Sequence, residues 1–286
     1  MLTGYVFILS AAACWGLIGI FSTLAFSQGV GPLEVAFWRA FISWFFFAAQ
    51  AMIVRRYRIN TRDIPLFAGF ALFGISLFYV SYQIAVKSVG AGFASVLLYT
   101  APAWVVISSF VLYREALSVV KVSAVILVVS GVLLISMSGG DISQGMSLSW
   151  TGIGAGLTAG FCYSLYYTVG KYFSARYSSI TFFLWVLPLG ALGILPLIEF
   201  TEKTALAWTA LVLVSFVSTF LANICYYQAL KRLEAGRAAI VATLEPVIAA
   251  VTAMLFLSET YTLMGYGGGF LILVAVLATI VEKKTA

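Results

Sequence analysis

Long apolar runs alternate with short polar, glycine- or proline-bearing stretches at 4–26, 33–54, 64–86, 91–113, 118–138, 150–170, 179–198, 206–230, 238–258 and 262–281. Each approaches the roughly 20 residues that an α-helix needs to cross a hydrocarbon layer. The pattern predicts an all-α polytopic membrane protein with ten transmembrane helices and short connections. The first run lacks a preceding basic cluster and is longer than a signal-peptide core, so it is expected to be retained as a helix. Breakers fall where loops are expected: Gly29, Gly31 and Pro32 after the first run, and Gly139, Gly140 and Asp141 at the centre.

Composition makes lipid the solvent. Of 286 residues, 63% are hydrophobic and 9% charged, with a mean hydropathy of +1.07. A soluble domain of this size could not hide so much apolar surface. Loops this short leave no room for a soluble module. The chain has no histidine, which excludes Ser-His nucleophile pairs, imidazole haem ligation and the usual zinc sites. Cys14, Cys162 and Cys225 lie inside apolar runs and form no disulfide framework. No metal or other cofactor is expected. The net charge of +6 is spread between the runs and not gathered on one face, so no nucleic-acid partner is expected.

The bases do set an orientation. With the N-terminus in the cytoplasm, Arg55, Arg56, Arg58, Arg62, Arg114, Lys121, Lys171, Arg176, Lys231, Arg232, Arg237, Lys283 and Lys284 face inward, 13 of the 16 bases. Lys87 and Lys203 face outward, and Arg39 lies within the second run. Both termini are therefore expected in the cytoplasm, with the chain in a bacterial inner membrane.

The chain also repeats itself. Shifting Tyr82–Leu134 by 144 positions onto Tyr226–Ala278 pairs Lys87 with Lys231, Ala91-Gly92 with Ala235-Gly236, Pro102 with Pro246 and Glu115 with Glu259. Ser10, Cys14 and Trp15 correspond more loosely to Thr158, Cys162 and Tyr163, at a shift of 148. Two five-helix units, 1–140 and 141–286, follow. An odd number of spans in each places the second upside down. Inverted repeats of this kind are typical of carriers that alternate access around a midplane site.

The motifs resemble a known family. A-x-x-C-W-G at Ala11–Gly16, F-W-R at Phe37–Arg39, L-Y-R-E at Leu112–Glu115, L-E-P-V at Leu244–Val247 and F-L-S-E at Phe256–Glu259 are similar to those of EamA domains in the drug/metabolite transporter superfamily. The aromatic-rich helices look most like the YddG-type exporters of aromatic and other amino acids. The resemblance implies a central cavity between the repeats, lined mainly by helices 1, 3, 4, 6, 8 and 9. Members that move phosphorylated sugars need deep bases, and this chain offers almost none.

Polar residues inside lipid are the candidates for function. Ser76, Tyr79 and Gln83 share a face of the third helix, and Ser215, Thr219, Asn223 and Tyr227 recur every fourth residue on the eighth. They either face a cavity or, for the hydroxyls, bond the backbone of their own or a neighbouring helix. Trp15, Tyr82, Tyr99, Trp104, Tyr163, Tyr166 and Tyr226 add deep aromatics, suited to flat or apolar substrates. Tyr57, Tyr172 and Trp208 lie at span ends as interfacial anchors. Pro102 and Pro246, matched in the two halves, each remove a helical hydrogen bond and mark hinges. Glu245 is the deep carboxylate. It meets a substrate ammonium or exchanges a proton, or else pins its helix beside the proline. Arg39 is shallow enough to snorkel to the outer edge, and alternatively binds a substrate carboxylate. Gly152, Gly156 and Gly160, with Gly265 and Gly269, form faces for close packing inside the bundle or, alternatively, in a dimer. A monomer suffices for transport.

No enzyme is expected. Asp63 and Asp141 lie in loops and cannot form a membrane aspartyl pair, no Asp-rich metal motif occurs, and no P-loop pattern is present. Nothing resembles a selectivity filter. The sequence therefore points to a secondary-active exporter of amino acids, aromatic and other apolar ones. The alternative is an efflux carrier for lipophilic cations, drugs or other small metabolites. Single cysteines test the orientation: one replacing Thr61 is expected to react only with reagents that enter the cytoplasm, and one replacing Asp141 with impermeant reagents outside. Reversed labelling would overturn it.

Overall fold

The computed structural model describes residues 2–138, 149–257 and 260–282, and within them every regular element is helical. The long segments are α1 (Leu2–Phe26), α2 (Pro32–Val54), α3 (Thr61–Val89), α4 (Ala91–Tyr113), α5 (Val119–Ser138), α6 (Trp150–Ser174), α7 (Ser179–Leu197), α8 (Ala205–Leu230), α9 (Ala235–Phe256) and α10 (Leu263–Val281). Nine of these, all but α6, are long and apolar enough to cross a membrane, counting the described residues only. α6 has 25 residues but is diluted by glycine, tyrosine, serine and threonine. Gly139, Gly140, Asp141, Glu259, Lys283 and Lys284 lie outside the described residues.

Local chemistry sets the helix ends. Pro32 opens α2, and the side chains of Ser149, Ser178 and Thr204 accept from the backbone amides of Gly152, Thr181 and Ala207 at the starts of α6, α7 and α8. Arg55 and Arg114 close α2 and α4 in the left-handed conformation, with φ of 52° and 54°. Three bases expected in loops are instead built into helix ends. Lys121 lies in the first turn of α5, Lys171 in the last of α6 and Arg237 in the first of α9. Each is held by carboxylates or by orphan helix carbonyls, so hydropathy alone misplaces the boundary.

Small residues set the packing, because lipid supplies no hydrophobic drive between helices. α5 and α10 touch backbone to backbone: a Cβ added to Gly131 would stand 2.6 Å from the Gly268 carbonyl oxygen. Gly265 packs on Ser138, whereas Gly269 has only Val247 at 4.0 Å. On α6 the whole glycine stripe is used. Gly152 faces Ser88 of α3, Gly156 faces Leu97 of α4, and Gly160 meets the Leu97 carbonyl. Elsewhere aromatics fill the interior, as where Phe47 of α2 stacks on Phe183 of α7 at 5.2 Å.

α1 is interrupted at Leu17, and four further helices are interrupted at places that match across the chain. π-Helical segments occupy Ala71–Leu77 in α3 and Phe216–Leu221 in α8. α4 breaks at Tyr99–Thr100, and α9 breaks at Thr243–Leu244. Tyr99 and Thr243 adopt nearly the same conformation, φ −77°, ψ 11° and φ −69°, ψ 5°, and they are related by the 144-residue shift. Each break precedes its proline, and the helix restarts at Ala101 or Glu245 with proline in the first turn, where its missing N–H costs nothing. The Gly131–Gly268 contact yields a stability test: Gly131→Leu is expected to cost about 1–3 kcal/mol by overpacking and to lower the thermal unfolding midpoint in detergent. Gly267→Leu, with nothing within 4 Å of its Cβ position, is expected to leave the midpoint in place.

Candidate functional site

The broken helices bring polar and aromatic groups together. Glu245 is half-buried and opens the second half of α9, where unpaired backbone amides favour negative charge. The Tyr163 hydroxyl donates to its Oε2 at 3.4 Å. Arg39, Tyr99, Tyr82 and Tyr167 also interact electrostatically with this carboxyl. Tyr99, Pro102, Tyr163, Tyr167, Ala239 and Thr243 line a narrow void between α4, α6 and α9.

Rings extend the cluster on both sides. Trp15 of α1 lies 5.6 Å from Tyr226, which lies 5.6 Å from Tyr167. Tyr163 is 6.0 Å from Tyr166 and 5.6 Å from Phe78, and Phe78 is 4.9 Å from Tyr79. The Tyr82 hydroxyl meets Ser95 Oγ at 3.1 Å. Of the residues expected at a site, Trp15, Tyr79, Tyr82, Tyr99, Tyr163, Tyr166 and Glu245 therefore converge, with Pro102 beside them. Tyr167 and Phe78 join them without having been singled out. Tyr167 follows Tyr163 by one helical turn, a spacing that carries the signal, whereas an apolar Phe78 in an apolar run carries none.

Of the other candidates, Tyr227 stacks on Phe182 of α7 at 5.5 Å and lies 6.3 Å from the Tyr226 ring, and its buried hydroxyl has no hydrogen-bond partner among the described residues. Asn223 is buried on α8 and Gln83 half-buried on α3. Pro246 follows Glu245 in the first turn of the second half of α9. The hydroxyls bond backbone: Ser76 Oγ donates to the Gly190 carbonyl at 2.9 Å, and Ser215 Oγ donates to that of Leu211 at 2.5 Å. Arg39 turns toward α8. Its Nε donates to Thr219 Oγ1 at 2.6 Å, and its guanidinium lies 6.0 Å from the Tyr79 ring centre.

The two ends of the bundle differ. At the end carrying residues 114–118 and 231–234, the second half of α4 packs on the first half of α9, Ala235–Ala242, every residue of which is buried. Glu115 accepts from the Ala235 and Gly236 amides at 2.8 and 3.2 Å, capping α9. Lys121 pairs with Glu234 at 2.9 Å, and Arg237 pairs with Glu234 at 3.2 Å and Glu282 at 2.9 Å. In the loop before α7, Tyr177 donates to Asp63 at 2.5 Å, and burial followed by this carboxylate contact pushes its phenol up. Toward the opposite end, Glu245–Phe256 contains no buried residue and has no extended packing on the first half of α4. The α4–α9 pair is closed at one end and parted at the other.

A multi-pass helical bundle whose broken helices meet around a polar centre is the build of a membrane transport protein. The EamA-like transporter family matches at residues 2–137 and 150–281, and the chain belongs to that family. It is 26% identical to an uncharacterized transporter of Archaeoglobus fulgidus, over 92% of this chain and 93% of that one. It is 30% identical to the threonine/homoserine exporter RhtA of Escherichia coli, over 82% of this chain and 76% of that one. A probable terminal-alkyne amino-acid exporter of Streptantibioticus cattleyicolor is 25% identical, over 83% and 79% of the two chains. One solved crystal structure shares the fold with a TM-score of 0.83 at 16% identity, covering 99% of this chain and 100% of that one.

The geometry separates a hydroxyl that meets Glu245 from one that does not. Tyr163→Phe removes a hydrogen bond to a carboxyl, worth about 1.5 kcal/mol or roughly tenfold in apparent affinity. Tyr227→Phe removes a hydroxyl that has no partner and is expected to leave transport kinetics unchanged. Uptake into proteoliposomes, with size-exclusion profiles as a control for folding, checks both.

Proposed function

We propose that the protein is a secondary-active exporter of amino acids, aromatic and other apolar ones, that works by alternating access. The matched breaks in α4 and α9, meeting at Glu245 and its tyrosines, carry this reading. Two units, 1–140 and 141–286, inserted with opposite orientation and five spans each, would rock about that point, with Pro102 and Pro246 fixing where each helix bends. The distribution of bases supports a reading in which the closed end of the α4–α9 pair, and both termini, lie at the cytoplasmic face of a bacterial inner membrane. The conformation then corresponds to access from outside. Opening inward requires Glu115 to leave the start of α9 and the ion pairs around Lys121 and Arg237 to part.

The names of the relatives support amino-acid export. One observation favours a second reading, efflux of lipophilic cations: the deep carboxylate stands among electron-rich rings, which attract cations of any kind. Reconstituted protein separates the two. Labelled amino acids are expected to show saturable flux that unlabelled amino acid on the opposite side accelerates. Saturable flux of cationic dyes alone would establish the second reading, and unsaturable flux would exclude a carrier. Glu245→Gln is expected to abolish the pH dependence of transport while preserving insertion. A mutant with unchanged rate and unchanged pH profile would make Glu245 structural.

A further inference from the structure

Arg39 is a cation within a membrane-spanning helix, and among the described residues it has no carboxylate within ion-pairing distance. A charge so placed is costly, and such residues commonly mark substrate or ion routes. Its surroundings hold it without neutralising it. Nε donates to Thr219 Oγ1 at 2.6 Å and one Nη donates to the Ser218 carbonyl at 3.4 Å. Both acceptors lie in the π-helical segment of α8, where the widened turn disrupts the ordinary i to i−4 pairing. A guanidinium carries five donors, so most of its N–H groups remain available.

The opposite charge stands nearby. Arg39 and Glu245 interact electrostatically, yet no ion pair joins them. Tyr163 holds the carboxyl, and Thr219 holds the guanidinium. Tyr166 interacts with both Arg39 and Tyr79, and its ring adjoins that of Tyr163. The tyrosine cluster thus connects a fixed cation to a fixed carboxyl. Neither charge is duplicated: the repeat mate of Glu245 is Ala101, and Arg39 corresponds to Phe183 or Leu187 at shifts of 144 and 148. One half of the chain supplies the cation and the other the carboxyl.

We propose that Arg39 binds the carboxylate of the substrate, and that Arg39 and Glu245 together form a receptor for a dipolar ion, selecting α-amino acids over the corresponding amines. The inference rests on the amino-acid reading above and adds the group that distinguishes an amino acid from an amine. A planar guanidinium suits a carboxylate because two parallel N–H groups can meet its two oxygens. Glu245 receives the ammonium, which both classes of molecule carry.

The full-length protein in liposomes provides the test. The probes are L-phenylalanine against 2-phenylethylamine, and L-threonine against 1-amino-2-propanol. Wild-type protein is expected to prefer each amino acid. Arg39→Gln is expected to reduce that preference at least tenfold, by losing amino-acid flux and not amine flux, as expected for losing a charge-assisted contact. Glu245→Gln is expected to weaken amino acid and amine alike. Thr219→Val and Arg39→Lys, which free or reshape the cation, are expected to give intermediate preferences. They decide the matter if Arg39→Gln fails to insert. An unchanged preference in every variant that inserts overturns the role of Arg39 while amino-acid export stands. Wild-type flux of amines without flux of any amino acid overturns both.

Discussion

In hydrocarbon no water is available to satisfy a peptide group, so every departure from regular helix must find its hydrogen bonds inside the protein. That constraint explains where this bundle is irregular and what surrounds each irregularity. At the break in α4, Thr100 Oγ1 donates to the Leu97 carbonyl at 2.7 Å, and at the break in α9 Thr243 Oγ1 donates to that of Ile240. The π segment of α3 is braced by Ser76 against α7, and that of α8 by Arg39 from α2. Side chains that look like candidate ligands are therefore partly structural. The distinction lies in whether donors remain after the backbone is satisfied.

Close packing provides the second support. Gly160 lets α6 lie directly on the broken turn of α4, and Gly16 lets α1 lie against the restart of α9, close to the Glu245 carbonyl. The glycines that seat the breaks thus set the distance at which Tyr163 of α6 meets Glu245. At one edge of the bundle, α5 and α10 pack backbone to backbone through Gly131 and Gly268, a contact with little freedom to slide.

Much of this was legible in sequence, for physical reasons. Lipid demands long apolar segments, so the helices stand out, and a lone carboxylate such as Glu245 is conspicuous where charge is expensive. Tyr163 stood out as an aromatic deep inside its apolar run, and the paired prolines marked where α4 and α9 depart from regular helix. What stayed hidden depends on phase and partners. Ser215, Thr219, Asn223 and Tyr227 mark one face only if the helix between them is regular, and the extra residue of the π segment rotates everything beyond it. Arg237 read as a loop base because hydropathy does not register that Glu234, Glu282, Tyr5 and the Thr279 carbonyl surround it. The partner of Arg39 stayed hidden because Thr219 lies 180 residues away in the chain.

The closed end joins apolar packing of Val105 and Val106 on the start of α9 to a network of paired charges, and the charges bear on the energy of parting it. Glu115, Lys121, Glu234, Arg237 and Glu282 lose hydration when they pair, and water restores it when they part. The two terms nearly cancel. A seal of greasy side chains at the edge of a hydrocarbon layer would have no such compensation, and separating it would flood apolar surface. A seal that relies in part on ions brings joined and separated arrangements closer in free energy than apolar packing alone would.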